Sequence, residues 1–158
     1  MRSKSPFLLG VISDTHGTLT KEASLALQNV DLIIHAGDID NPGVLKALRN
    51  IAPIVAVRGN MDRGGWTKNL SRTEIVEVND VLIYVLHDLD ALDVDPAAAG
   101  FKAVVSGHTH RPDIKNKKGV LYLNPGSAWW PRSNTPETVE IITVEENVVS
   151  AQLAALEP

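Results

Sequence analysis

Three short apolar runs, each cut off by polar residues, limit what this chain can fold into more than any other feature. Phe7 to Ile12 runs into Ser13-Asp14-Thr15-His16-Gly17, Leu32 to Ile34 into His35-Ala36-Gly37-Asp38, and Ile54 to Val57 into Arg58-Gly59-Asn60-Met61-Asp62. Strands that are apolar on both faces are those that helices cover. Two helical segments lie between the runs. Thr20 is placed to cap Lys21 to Gln28, where Ala23, Leu27 and Val30 share a face, and Asn41-Pro42 opens a second helix that turns Val44, Leu45 and Leu48 inward. Strand, helix, strand, helix, strand predicts parallel pairing with right-handed crossovers. In such sheets ligands bind beyond the C-terminal strand ends.

After Gly64-Gly65 the rhythm changes. Thr73 to Val78 alternates as a half-buried strand, and Asn79-Asp80 turns it into Val81 to Leu86, a predicted hairpin ending at His87-Asp88. A short helical segment around Pro96 to Ala99 leads to the run Ala103-Val104-Val105. Asp113 to Leu123 reads as a second hairpin with Lys118-Gly119 near its turn, Thr138 to Val144 as a strand, and Val148 to Leu156 as an edge strand. An α/β first half and a β-rich second half predict two mixed β-sheets packed face to face with helices outside, in one domain spanning 1–158.

The polar residues at the strand ends share one chemistry. His108 and His110 flank Thr109, and in extended chain alternate residues point the same way, so both rings aim at one spot. All five histidines (16, 35, 87, 108 and 110) lie at or just past the end of an apolar run, as do Asp14, Asp38 and Asn60. The chain has no cysteine, so a metal site must use His, Asp, Asn or Glu. A net charge of −4 argues against a dedicated nucleic-acid binder. The first apolar run is too short to span a bilayer and no small-residue cleavage site follows it. A soluble, cytoplasmic protein is the expectation.

Taken in order, Asp14-x-His16, Gly37-Asp38, Gly59-Asn60-x-Asp62, His87 and Gly107-His108-x-His110 resemble the motif set of the calcineurin-like metallophosphoesterases. The Asn124-Pro125-Gly126-Ser127 stretch and the small size are similar to the short bacterial and archaeal phosphodiesterase branch. The resemblance implies a four-layer α-β-β-α sandwich and a site for two divalent metal ions. One metal would take Asp14, His16, Asp38 and His110, and the other Asp38, Asn60, His87 and His108, with Asp38 bridging. It implies hydrolysis of small phosphodiesters by a metal-bridging hydroxide. Catalytic roles then fall to Asp38, Asn60 and His108, and to Asp62, for which structural hydrogen bonding is the alternative. Charge counting supports this: two divalent cations outweigh the carboxylates of Asp14 and Asp38, so a phosphate ester anion is attracted. A shell rich in His and poor in carboxylate favours Mn first, with Fe, Ni or Zn as alternatives, over Ca or Mg.

Two positions depart from the family pattern. Many members carry a histidine after the Asn, where this chain has Met61, which cannot transfer protons. The histidine matched by His87 is usually followed by glycine, where this chain has Asp88, either a loop cap or a partner to a ligand histidine. His35 is expected to support the site without ligating. Arg58, Arg63, Lys68, Arg111 and Arg132 are each a candidate for a phosphate rim or a solvated charge. Trp66 and Trp129-Trp130 flank the motif loops, with core packing or a subunit contact expected and stacking on a nucleobase the alternative. The partner expected is a small phosphodiester substrate, with no stable nucleic-acid partner and no membrane, and a homo-oligomer is left open. The competing readings are a phosphomonoesterase and a non-catalytic scaffold like the retromer subunit of this fold, which has lost ligands. Here no expected ligand is missing.

Overall fold

A computed structural model describes residues 5–131 and 134–156. In chain order the elements are β1 (Phe7–Ile12), α1 (Lys21–Ala26), β2 (Leu32–His35), α2 (Pro42–Arg49), β3 (Ile54–Ala56), β4 (Thr73–Val78), β5 (Val81–Leu86), β6 (Phe101–Val105), β7 (Asp113–Lys117), β8 (Val120–Asn124), β9 (Thr138–Glu145) and β10 (Val148–Ala155). The helices start where their caps predict. Thr20 Oγ1 accepts from the Ala23 amide at 3.1 Å, and Asn41 Oδ1 accepts from the Gly43 amide at 2.8 Å.

The elements form two five-stranded mixed sheets, ordered β10-β9-β1-β2-β3 and β4-β5-β6-β8-β7. Strands β1, β2 and β3 run parallel, as do β5, β6 and β8; antiparallel strands β10, β4 and β7 form three of the four sheet edges and the parallel β3 forms the other. Leu9, Val11, Ile34 and Val57 of the first sheet meet Val76, Ile83, Val85, Ala103 and Val105 of the second in the central core. The opposite face of the first sheet packs Ile12 and Ile33 under Ala23, Leu27, Val44, Leu45 and Leu48 of the helical segments.

The two-sheet sandwich with helices outside is therefore present, and its outermost layer over the second sheet is thin. Among the described residues that layer holds a 3-10 turn, Leu89–Ala91, and no α-helix. The helical segment expected at Pro96 to Ala99 is a single turn, with the Ala99 amide on the Asp95 carbonyl at 3.0 Å, and Gly100 ends it in the left-handed region at φ 87. Leu92 of this stretch packs on Leu86, Phe101 and Val104. No described helix is long and apolar enough to cross a membrane.

Strand β9 carries an exception to its own pattern. Glu140 shares a face with Ile142 and Val144, which put their side chains between the sheets, and it is fully buried with neither carboxyl oxygen hydrogen-bonded. Burial, reinforced by the charge of Asp113, pushes its pKa up to about 8. The folded state thus keeps a proton that the unfolded chain loses above about pH 4.5, so this group lowers stability as pH rises towards 8. His35, also fully buried, has its pKa pushed down by burial to about 3 and gives the opposite slope, but only below 6.5. Between pH 6.5 and 8 the Glu140 slope, on the order of 1–2 kcal/mol, adds to a fall of the same sign from His87, whose pKa the neighbouring carboxylates hold above its ordinary value. Urea unfolding across that interval should show stability falling more steeply in the native chain than in Glu140→Gln, where only the His87 slope remains; parallel profiles would mean that the carboxyl is already ionised in the fold.

Candidate metal centre

Because β1, β2 and β3 are parallel, and β5 and β6 are parallel, their C-terminal ends gather at one end of the sandwich. Asp14 and His16 follow β1, Asp38 follows β2, Asn60 and Asp62 follow β3, His87 follows β5, and His108 and His110 follow β6. Backbone bonds lace the loops together: the Asp14 amide to the Gly37 carbonyl at 3.0 Å, His16 to Asp38 at 3.1 Å and Gly107 to His87 at 2.9 Å. Asp14 (φ 53), His16 (φ 46), Asp38 (φ 57), His108 (φ 71) and His110 (φ 61) all sit in the left-handed region. Side chains rarely adopt it, and such strain persists only where surroundings impose it.

The side chains fall into two groups whose ligand atoms lie within 4.8 Å of one another, Asp14 with His16 and His110, and Asp38 with His87 and His108. In the first, Asp14 Oδ1 stands 3.3 Å from His110 Nε2 and 3.8 Å from His16 Nε2. In the second, Asp38 Oδ2 stands 3.2 Å from His87 Nε2. Asn60 joins the second group at its exposed edge, with Oδ1 3.3 Å from His108 Nδ1. The groups adjoin, for Asp14 Oδ1 is 3.9 Å from His87 Nε2. Among the described residues these two atoms are buried and make no hydrogen bond. Burial acts to raise the Asp38 carboxyl, yet His87 and the Met61 amide outweigh it and hold its pKa below the ordinary value. Burial likewise acts to lower His87, and the carboxylates of Asp38 and Asp14 outweigh it, so its pKa lies above the ordinary value. Both shifts express one fact: this spot favours positive charge.

The outward nitrogens of three histidines show which atom each ring presents inward. His16 Nδ1 lies 2.9 Å from Asp40 Oδ2, His87 Nδ1 2.7 Å from the Ala36 carbonyl, and His110 Nδ1 2.6 Å from the Trp130 carbonyl. Each partner is best served by an N–H donor, which puts the proton of a neutral imidazole on Nδ1 and the lone pair on Nε2. His16 Nε2 and His110 Nε2 then face each other at 3.2 Å, lone pair to lone pair. A cation between them turns that repulsion into ligation, the usual outer support of metal-bound histidines. The residues fit divalent metal on this ground.

The loops are held in place from beneath. Asp62 is buried, and its carboxylate accepts the amides of Asp38 (3.1 Å), Ile39 (2.8 Å), Asp40 (2.8 Å) and Gly59 (2.8 Å). Of the two roles the sequence left for Asp62, this is structural hydrogen bonding, and the catalytic role is withdrawn because both oxygens are committed to backbone. Ser127 donates to the Asp14 carbonyl at 2.8 Å, and Asn124 Nδ2 donates to the Gly107 carbonyl at 2.9 Å, so the Asn124 to Ser127 turn braces both the first and last ligand loops. At Gly59 a side chain would collide with the Asp38 amide and carboxylate, and at Gly37 a Cβ would lie 2.7 Å from His87 Nδ1.

Other expected residues settle differently. His35 Nδ1 accepts the Gly37 amide at 3.1 Å and Nε2 meets Thr15 Oγ1 at 3.0 Å, so both nitrogens serve the loops and neither ligates. Arg58 donates to the Asp62 carbonyl at 3.2 Å, whereas Arg63 and Lys68 are exposed. Arg111 lines a cavity of about 460 Å³ beside His108, and Arg132 lies outside the described residues. Trp66 packs against the core beneath the helices, as expected, while Trp129 and Trp130 stand 43% and 66% exposed, so core packing does not account for the pair. Asp40 escaped the sequence reading. Its position two residues after Asp38 is the only signal it offers, and only the fold brings it to His16.

The family model of the calcineurin-like phosphoesterase superfamily domain matches residues 7–147. The chain belongs to that superfamily. It is 38% identical to a probable metallophosphoesterase of Methanocaldococcus jannaschii over 163 aligned residues, covering 95% of this chain and 82% of the relative. An archaeal phosphodiesterase of known structure is 26% identical, covering 94% of this chain and all of that one, with a TM-score of 0.76. A Vps29 variant from Entamoeba histolytica is 20% identical, covers 96% of this chain and all of that one, and superposes with a TM-score of 0.75, a likeness of fold alone. The superfamily implies divalent metal ions, and the two ligand groups are the candidates to hold them.

Asp62→Asn places an amide nitrogen among N–H donors that a carboxylate now accepts. Urea unfolding should show a loss of about 2–3 kcal/mol; a loss under about 0.5 kcal/mol would remove Asp62 from its bracing role.

Proposed function

We propose that this phosphoesterase is a two-metal phosphodiesterase acting on small phosphodiesters. The observation that carries the proposal is the convergence of His16 Nε2, His87 Nε2, His110 Nε2 and Asp14 Oδ1, with the three imidazoles turned by acceptors behind them. Asp14, His16 and His110 would hold one ion, and Asp38, Asn60, His87 and His108 the other, with Asp38 as the bridging carboxylate. Two such ions supply Lewis acidity towards the phosphoryl oxygens and a water ionised near neutral pH. Mn is the metal we favour, with Fe, Ni or Zn compatible with the same donors.

The chain's own residues favour diesters. His16, Asp38, Asn60, His108 and His110 open into a cavity of about 360 Å³, suited to a small molecule. Asn60 and His108, both exposed, reach the substrate side of the centre. Asp88 holds Oδ2 3.8 Å from His108 Nε2 and caps the Asp90 amide with Oδ1 at 3.0 Å. It adds a fixed negative charge at the rim, which opposes a dianionic monoester more than a monoanionic diester. Met61 offers no proton to a departing alcohol, so esters with good leaving groups are the better substrates. The scaffold alternative has one observation against it: every expected ligand position carries a ligand side chain that the fold brings to the centre.

With Mn²⁺, the protein should cleave bis(p-nitrophenyl) phosphate faster than p-nitrophenyl phosphate, and chelator should abolish both. Asp38→Asn should cut turnover by about a hundredfold or more with circular dichroism unchanged; full activity in that variant would sink the site assignment. Met61→His should raise monoester cleavage relative to diester cleavage, and an unaltered ratio would show that the leaving group needs no proton from this position.

A further inference from the structure

Two apolar side chains stand in water at the mouth of the candidate centre. Met61 is 48% and Trp130 66% exposed, both line the cavity that holds His16, Asp38 and His110, and neither belongs to an apolar core cluster. Their backbones are tied to the ligands themselves. The Met61 amide donates to Asp38 Oδ1 at 2.9 Å, and the Trp130 carbonyl accepts from His110 Nδ1 at 2.6 Å. The Trp130 amide donates to Ser127 Oγ at 2.7 Å, whose hydroxyl grips the Asp14 carbonyl at 2.8 Å. The indole stands edge-on to the His16 ring, centroids 6.4 Å apart. An exposed ring at a fixed distance from a phosphate-binding centre is a stacking surface that costs little further ordering when used.

Resting on the phosphodiesterase reading, we propose that Trp130 and Met61 form a slot for the planar base of a nucleotide ester whose phosphate sits on the metals. A flat, polarisable ring gains most against an indole face, and a thioether adapts to the edge of a ring. The two slot side chains carry no carboxylate, amide or guanidinium, so purines and pyrimidines should both be accepted. This assigns to Trp130 the stacking role, which its exposure beside the centre favours over core packing.

The test is calorimetric titration of the Mn²⁺-loaded protein with adenosine 5′-monophosphate, ribose 5-phosphate and octyl phosphate, which share a phosphate group and differ in what it carries. Adenosine monophosphate should bind about tenfold or more tighter than ribose 5-phosphate. Trp130→Ala should bring the ratio to within about threefold, and Trp130→Phe, which keeps a flat ring, should restore most of it. Equal binding of the two sugar phosphates by the native protein would overturn the slot, as would a ratio that survives in Trp130→Ala. Octyl phosphate gaining as much as the nucleotide would assign the slot to alkyl chains and overturn the nucleobase. Loss of metal-dependent diester cleavage together with loss of all three affinities would instead overturn the phosphodiesterase reading beneath it.

Discussion

Asp14 Oδ1 has imidazole nitrogens at 3.3, 3.8 and 3.9 Å and makes no hydrogen bond, and much of the surrounding structure serves to hold that arrangement. Buried carboxylates and imidazole lone pairs gathered this closely are unfavourable without positive charge among them. Relaxation is blocked on every side. Acceptors behind three rings dictate their tautomers, four amides clamp the Asp62 carboxylate, and the Asn124 to Ser127 turn ties the first ligand loop to the last. The left-handed backbone at five ligand residues is a consequence, since loops so fixed must turn sharply to bring alternate side chains inward.

The sandwich supplies the convergence. One sheet contributes three parallel strand ends and the other two, and an apolar core of β-branched side chains locks the sheets together. Rigidity of that core transmits to the loops, because close-packed interiors yield little. The burial of Glu140 within this interior runs against the same economy, since a neutral acid is tolerated there only through protonation.

Within the superfamily, this chain combines a full set of candidate ligand side chains with an altered rim. Met61 and Asp88 stand where a proton donor and a glycine are common, and Trp130 stands in solvent beside them. The inner residues answer to the metal and its charge, which leaves few alternatives. The rim of the proposed site is where the chain has its own chemistry. A full set of candidate ligands is what favours the enzyme reading proposed above over a scaffold that has lost ligands, even where the folds superpose.

Much of this was legible along the chain. Apolar runs ending in Asp, Asn and His established parallel strands and the end of the sheet at which chemistry would gather, because burial period and strand-end geometry are local properties. Turn and cap residues such as Thr20, Asn41 and Asn79-Asp80 marked the boundaries for the same reason. The thin fourth layer was less legible, since the Pro96 to Ala99 turn carries a helical signal that Gly100 cuts short. What only the tertiary structure decided were partnerships between distant residues: Asp40 behind His16, the Trp130 carbonyl behind His110, Asp62 beneath the loop that carries Asp38, and Trp130 in solvent rather than in the core. Sequence determines which residue types stand at a strand end. Which nitrogen turns inward, and which carboxylate braces instead of binding, depends on acceptors and amides that only folding brings within hydrogen-bond reach.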